Sequence, residues 1–384
     1  MGPQAQELTV AHLVTPYLFP TGTWIHGQLV HACGHRPIVL TQKLEDPARF
    51  PFSPVFEVTH SLDRAGRIRN RLLHLAGRFD PRLYLPHLDR ERAGVLHAHL
   101  GWEGVRALPV ARASGLPMVT SFYGRDAGRL ARLPWWGARF RRLFREGDLF
   151  LAEGPALAEH LRRLGCPAGK ARVLHLGIDF ERIRFRERGV PAATVEVLVS
   201  ASFRAKKGVP AAVRAFAAVA PQFRQARLRL LGDGPERAQV LEAVRRAGLG
   251  DRIVLEGYVS YERHLAALQE AEIFLAPSRI APDGDTEGGA PVAVIEAQAA
   301  GVPVVSTRHA DIPEVVADRV TGLLSPEYDD DALARNLAWM LGNPAARAEM
   351  GRHGRARAEQ AFDARKIAGE AAAIYAELAG RRPR

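Results

Sequence analysis

Short runs of β-branched and leucine residues alternate with longer amphipathic runs along the chain, and the alternation starts twice. This feature constrains the fold more than any other. Buried strands that alternate with covering helices build parallel sheets, and a restart after a break builds a second sheet. The first series of strands is expected at 8–15, 36–42, 95–100, 117–122, 148–154 and 171–177, with helices that include 102–113 and 155–164. The stretch 181–194 is charged, lacks an apolar face and ends in a Gly-Val-Pro turn, so it reads as a linker. Strands then resume at 195–202, 227–234, 252–258, 272–278 and 303–307, separated by helices that include 209–220, 235–247 and 260–270. The chain from about 329 onward is helical and rich in Ala and Arg. The expected fold class is α/β, with two Rossmann-like, doubly wound parallel-sheet domains at 1–185 and 190–362. A last helix at about 363–384 is placed to pack back on the first domain.

A length of 384 residues is long for one core and comfortable for two. An apolar content of 47% with 25% charged residues is that of a soluble globular protein. No apolar run approaches the roughly 20 residues that cross a bilayer. The opening MGPQAQELTV has neither a basic start nor an apolar centre, unlike a secretory signal. Cys33 and Cys166 are far apart and in no metal-ligand spacing, and read as small buried hydrophobes in a reducing cytoplasm.

The net charge of +11 is unevenly spread. Residues 1–185 hold 26 Lys or Arg against 16 Asp or Glu, a net of +10, and the remainder holds 27 against 26. A bias for Arg over Lys explains which cation is used, but not why one half has the excess. The first half is therefore expected to meet something anionic. The excess peaks at 125–145, where seven Arg and one Asp are interleaved with Trp135, Trp136, Phe140 and Phe144. Rings and long arginine stems suit the headgroup layer of an anionic membrane. A helix that packs its rings on the core is the competing account. No recognisable nucleic-acid module accompanies the patch, so nucleic acid is not an expected partner.

In doubly wound sheets ligands bind beyond the carboxyl ends of the strands, which directs attention to the loops there. After the strand at 272–278 comes Asp283, Asp285 and Glu287, then Gly288, Gly289, Ala290, Pro291 and a helix that carries Glu296. Small residues before a helix let a ligand reach free amides, and flanking carboxylates accept hydroxyl groups of a polyol or ribose. An acidic N-cap is an equal reading of the same residues. The loop at 202–208 carries Arg204, Lys206 and Lys207 ahead of a helix, where cations oppose the helix dipole unless an anion is held. It reads as a diphosphate clamp with Arg204 and Lys207 as donors, or as a solvated basic turn. Gly232 and Gly234 flank Asp233 at a strand-to-helix turn without the full dinucleotide fingerprint. In the first half, Thr21-Gly22-Thr23 opens a helix and offers either amides to a ligand or a simple cap.

The order SFRAKKG, LLGDGPE, EGYVS, FLAPS, EGGAPVAVIEAQAAGVPVVST, DIPEVV, TGLL resembles the profile of family 4 of the retaining glycosyltransferases, with the GT-B fold. The first half agrees more loosely through HAHLGWEG, SFYGRD and LHLGID. The resemblance implies two Rossmann-like domains facing across a cleft, acceptor-side first and donor-side second. It implies a nucleoside-diphosphate sugar as substrate, no cofactor and no metal. The implied catalytic group is Glu287, Arg204, Lys207 and Tyr123, with Glu287 on the sugar hydroxyls and the cations on the leaving diphosphate. The implied donor contacts are Gly22, Ser202, Gly232, Gly288, Gly289, Ala290 and Pro291, with Glu296 on the ribose and the base near Gly257, Tyr258 and Val259. Asp126 and His175 fall on the acceptor side. Three departures stand out: eight residues rather than the family's seven separate Glu287 from Glu296, Ser202 occupies the place of the usual arginine, and Tyr123 replaces a histidine. Asp283-Gly284-Asp285 looks like a Mg²⁺-binding Asp-x-Asp motif, but in a two-Rossmann protein it is expected to hold no metal.

The function expected is transfer of a sugar to a lipid-linked or saccharide acceptor in cell-surface polysaccharide or glycolipid assembly. The place expected is the cytoplasm, peripheral on the inner face of the plasma membrane. A GT-B-fold epimerase or phosphorylase, or a non-catalytic sugar-nucleotide-binding protein, are the alternatives.

Overall fold

The computed structural model describes residues 7–18, 22–45, 47–189 and 193–381. Pro20 and Thr21 of the expected first loop lie outside the described residues. Packing divides the chain into two units, Met1–Gly177 with Ala364–Arg384, and Ile178–Asp363.

In the first unit, β1 (Thr9–Leu13), β2 (Arg36–Thr41), β3 (Val55–Glu57), β4 (Ala93–His99), β5 (Met118–Phe122), β6 (Leu149–Ala152) and β7 (Ala171–Val173) form one sheet in the order β3-β2-β1-β4-β5-β6-β7. Every pairing is parallel. The second unit repeats the plan with β8 (Val195–Ser200), β9 (Ala226–Leu231), β10 (Ile253–Gly257), β11 (Ile273–Ala276), β12 (Val304–Thr307) and β13 (Gly322–Ser325), ordered β10-β9-β8-β11-β12-β13. Crossovers from a central strand, first to one side and then to the other, produce this order. The reversal falls between β1 and β4 in one sheet and between β8 and β11 in the other, where such sheets bind ligands. Central strands are covered on both faces, so β1 and β5 are buried throughout, their polar Thr9, His12, Thr120 and Ser121 included.

The short edge strands β3 and β13 are absent from the sequence reading, because three or four residues give too little alternation to recognise. The tail forms three helices, Asp330–Gly342, Pro344–Phe362 and Ala364–Gly380. The last one buries Ile367, Ala371, Ile374, Tyr375 and Leu378 against Val10, Val95, Val119 and Leu149 of the first sheet.

The stretch read as a featureless linker is anchored. Arg188 is fully buried, and its guanidinium donates to the carbonyls of Gln269, Leu268 and Ala300 at 2.9–3.0 Å. Arg188→Ala strands the Leu268 and Gln269 carbonyls, while Ala300 keeps the Arg186 N–H at 3.1 Å, and a loss of about 2–4 kcal/mol is expected from urea unfolding.

Two other expectations are corrected. Cys166 is buried, but Cys33 is exposed in the turn between the helix Thr23–Val30 and β2. Most rings of 125–145 face inward: Phe140 and Phe144 pack with Phe122 and Phe150, and Trp136 lies against the same core. Trp135 stays 58% exposed on the helix Pro134–Glu146.

Candidate functional site

The carboxyl ends of β8, β11, β12 and β13 gather the polar residues of the second unit. After β8 a short 3₁₀ turn, Ala205–Lys207, ends at Gly208 with φ +61°, from which the helix Val209–Val219 starts. A Cβ on Gly208 would stand 2.1 Å from the Pro277 carbonyl oxygen, so only glycine lets this loop press on the end of β11. That close approach brings the two lysines to the acidic loop.

Lys207 Nζ lies 2.7 Å from Glu287 Oε1, which also accepts a hydrogen bond from Ser278 Oγ at 3.0 Å. Lys206 Nζ lies 3.8 Å from Glu287 Oε2 and 3.3 Å from Asp285 Oδ1, and donates to the Thr286 carbonyl at 2.9 Å. Burial pushes the Glu287 carboxyl upward, but the two ammonium groups outweigh it and hold it down at about 2. The carboxylate is therefore ionised, with Oε1 occupied and Oε2 the less committed oxygen. His309 braces the loop from the end of β12. Its Nε2 accepts the Glu287 backbone N–H at 3.3 Å and is 3.1 Å from Thr286 Oγ1, while Nδ1 meets Glu327 Oε1 at 2.7 Å. An acceptor Nε2 is bare, which places the proton on Nδ1 toward Glu327.

Gly288 and Gly289 are buried, and Ala290 and Pro291 are half-buried just before the helix Val292–Ala299. That helix starts with no side-chain cap, so its first amides have no partner from an N-cap oxygen. Glu296 on its buried face receives Tyr261 Oη at 2.8 Å and faces His264 Nε2 at 3.0 Å. His264 Nδ1 in turn lies 2.9 Å from Ser200 Oγ at the end of β8. Burial, reinforced by the Glu296 charge, pushes the Tyr261 phenol far up, so it stays a donor.

The remaining donor-side residues are more loosely gathered. Arg204 is exposed and makes no ion pair among the described residues. Ser202 is half-buried, and its carbonyl accepts the Arg204 backbone N–H at 2.8 Å. Gly232 packs its backbone on Ala201, Tyr258 is exposed, and Val259 packs on the apolar core. Lys206 was named in the basic loop but not as a donor, and Ser278, His309, Tyr261 and His264 were not singled out from the sequence as site residues. Among those four, only the position of His264, just inside a helix that follows a strand, offered a signal.

In the first unit the structure brings Tyr123 into a buried imidazole network. His12 on β1 pairs in register with His97 on β4. His12 Nδ1 meets His99 Nε2 at 2.9 Å, and His99 Nδ1 meets Tyr123 Oη at 2.7 Å. His97 bridges Tyr375 Oη at 2.7 Å and Ser121 Oγ at 2.8 Å. Burial, then the neighbouring imidazoles, holds all three histidines far below their usual range, so they are neutral. One nitrogen from each lies within 4.8 Å of the others. Five of the six nitrogens are already hydrogen-bonded, and only His12 Nε2 is left over.

Asp126 lies beside this network but is spent on the backbone, accepting N–H groups of Gly101, Tyr123 and Ala127 at 2.7–3.1 Å. It therefore shapes the turn that carries Tyr123. His175 Nδ1 faces the Glu153 carbonyl at 2.7 Å. Gly22 precedes the helix Thr23–Val30, which has no side-chain cap.

Two doubly wound parallel units, the second with a basic loop and an acidic loop at the switch point, define the GT-B class of protein. The profile described as Glycosyl transferases group 1 matches residues 181–357, and that described as Glycosyltransferase Family 4 matches residues 27–182. The chain belongs to this glycosyltransferase family, whose two halves these profiles describe. It is 36% identical over 249 residues to WcaL of Escherichia coli K12, a glycosyltransferase named for colanic acid biosynthesis, covering 64% of this chain and 61% of that protein. It is 35% identical to the amylovoran biosynthesis glycosyltransferase AmsK of Erwinia amylovora, covering 63% and 60%. The match thus spans about three fifths of the length of these relatives. The fold is shared with sucrose-phosphate synthase from Thermosynechococcus elongatus, at a TM-score of 0.77 and 19% identity over 98% of this chain and all of that one. It is shared also with Anabaena HepE in complex with UDP-glucose, at 0.75 and 18% identity over 96% and 100%.

Proposed function

We propose that the chain transfers a sugar, with retention of configuration, from a nucleoside-diphosphate donor to a lipid-linked or saccharide acceptor in cell-surface polysaccharide assembly. The observation that carries this reading is the Lys207–Glu287 pair at 2.7 Å at the end of β11, which sets a cation for the diphosphate beside a carboxylate for the sugar. Glu287 Oε2 accepts a sugar hydroxyl, and Glu296 accepts ribose hydroxyls with the lone pairs that Tyr261 and His264 leave. As the bond from C1 to the diphosphate oxygen breaks, its electron pair leaves with the phosphate. Lys207 and the exposed Arg204 stabilise that charge. The acceptor oxygen bonds to C1, and its proton passes to the departing phosphate. Nothing in this scheme calls on a metal ion or a resident cofactor.

Two kinds of observation support the reading beyond the site itself: relatives named for colanic acid and amylovoran biosynthesis, and structural neighbours with UDP-glucose bound. No helix among the described residues is long and apolar enough to cross a membrane. We place the protein in the cytoplasm, peripheral on the inner face of the plasma membrane. The exposed Trp135 and the arginines of 125–145 are the sequence-level support for that placement.

The test is a donor screen with UDP-, GDP- and ADP-sugars and membrane extract as acceptor, read by mass spectrometry, with calorimetry on the free nucleotides. A glycosylated acceptor and micromolar binding of one nucleotide are expected, with Lys207→Ala weakening that binding about tenfold. No nucleotide binding would point to a non-catalytic scaffold. A new sugar nucleotide formed without acceptor would point to an epimerase, and turnover that depends on phosphate to a phosphorylase.

A further inference from the structure

The helix Arg64–Leu75 in the first unit buries none of its residues. Its Asp63 N-cap accepts the Gly66 N–H at 2.7 Å, so the helix is locally well formed rather than a frayed segment. One side faces the protein: Asn70 hydrogen-bonds Gln42, and Leu73 and His74 are half-buried. The opposite side carries Ile68, Leu72 and Leu75, which are 56%, 62% and 71% exposed. With about 100° per residue these three fall within about 60° of arc. They make a continuous aliphatic spine about two turns long that no described residue covers. Single exposed apolar residues need no explanation, but three aligned on one helix face do.

The flanks of the spine indicate what covers it. The helix has four arginines and no acid. By the same geometry Arg64, Arg67 and Arg71 line one side of the spine and Arg69 the other. Arg69 is tied to Asp80 at 2.8 Å, whereas Arg64 and Arg71 form no ion pair among the described residues. An aliphatic spine edged by arginines is complementary to a surface that is apolar below and anionic at its rim. That is the boundary layer of a bilayer with anionic lipids. A protein groove would need acids held in register with Arg64, Arg67 and Arg71 along one edge, whereas anionic headgroups supply them without register. The neighbouring basic helix continues the surface, since a Cβ on Gly77 just after the spine would lie 3.3 Å from Arg139 Cζ. Arg139 itself stacks over Trp136 at 5.1 Å.

We propose that the helix Arg64–Leu75 is the element that seats this protein on an anionic membrane surface, with Ile68, Leu72 and Leu75 inserted and the arginines at the headgroups. The proposal rests on the reading that the protein works at a membrane face, and it moves the main contact from 125–145 to a different helix.

The test is sedimentation of the full chain with vesicles of phosphatidylglycerol and phosphatidylcholine, and with phosphatidylcholine alone. The variants are I68S/L72S/L75S, R64Q/R67Q/R71Q and W135S. Wild type is expected to bind the anionic vesicles and not the neutral ones. The serine variant should lose at least tenfold in partitioning, and the glutamine variant should lose both affinity and salt dependence. Both should bind nucleotide like wild type, which shows that they fold. If wild type binds but the serine variant binds within twofold of it, the helix assignment is overturned and the membrane reading survives; loss in W135S alone would return the contact to 125–145. If wild type ignores anionic vesicles, both the assignment and the membrane reading fall, while donor turnover still judges the transferase reading. A wild-type dimer that the serine variant turns into a monomer without vesicles would make the spine a contact between copies, and would equally overturn the proposal.

Discussion

Glu287→Gln is expected to lower kcat by about 10²–10³-fold while leaving nucleoside-diphosphate affinity unchanged or tighter. The substitution keeps the side chain's size and its place beside Ser278, but removes the charge that Lys207 meets at 2.7 Å and Lys206 at 3.8 Å. With that charge gone, both ammonium groups are released toward an anionic ligand, so the diphosphate gains and the sugar loses. A purely structural Glu287 would lower both together, and steady-state kinetics beside calorimetry separates the two. The same variant has a signature in acid. Burial raises the Glu287 carboxyl and the lysines lower it further, so it stands at about 2 against an ordinary 4.5. A carboxyl with a depressed folded value stabilises the protein above its unfolded value, and that contribution is lost as pH falls from about 4.5 toward 2. Melting temperatures measured across this window should fall more steeply for wild type than for Glu287→Gln. Parallel slopes would show that the pair is not made in solution.

The two-sheet plan was legible because its signal is local: buried strands such as β6 and β11 are apolar along their whole length, and the linker interrupts the series once. The loops after β8 and β11 were legible for the same reason, since charged and small residues directly after a buried strand stand out. What escaped depends on register between distant segments. Lys206 is 79 positions from Asp285, and His309 is 22 from Glu287, so nothing in their own surroundings marks them as partners. The histidines of β1 and β4 become a network only because parallel pairing sets His12 against His97. Exposure was not legible. The rings at 125–145 suggested a surface but mostly face the core, and the helix Arg64–Leu75, on which the sequence reading made no assignment, leaves its apolar face open. Periodicity shows that a helix has two faces, but only the neighbouring elements decide which face is covered.

Gly232→Ala is expected to be the most damaging single change outside the charged pair, and to act through folding. Gly232 sits where β9 ends, at φ +139°, a conformation in which a side chain is strained wherever it points. A Cβ there would come within 1.8 Å of the Ala201 carbonyl oxygen, a backbone atom with nowhere to retreat. Ala201 is pinned because its own N–H is bonded to the Leu231 carbonyl at 3.0 Å. Two residues on, the Phe203 N–H is bonded to Asp233 at 2.9 Å. Gly232 itself donates to Gly257 at 2.7 Å, which ties the ends of β8, β9 and β10 together beneath the basic loop. Relief of the clash would therefore open several of these bonds at once, at a cost above about 4 kcal/mol, near the extreme for one substitution. The measurement is urea unfolding together with nucleotide calorimetry at low temperature. If Gly232 is kept mainly so that a diphosphate can approach its backbone, the variant will fold with near-normal stability and lose only nucleotide binding. If the close contact with Ala201 dominates, stability falls first, and whatever fraction stays folded has lost its nucleotide site as well because the loop carrying Lys206 and Lys207 has shifted.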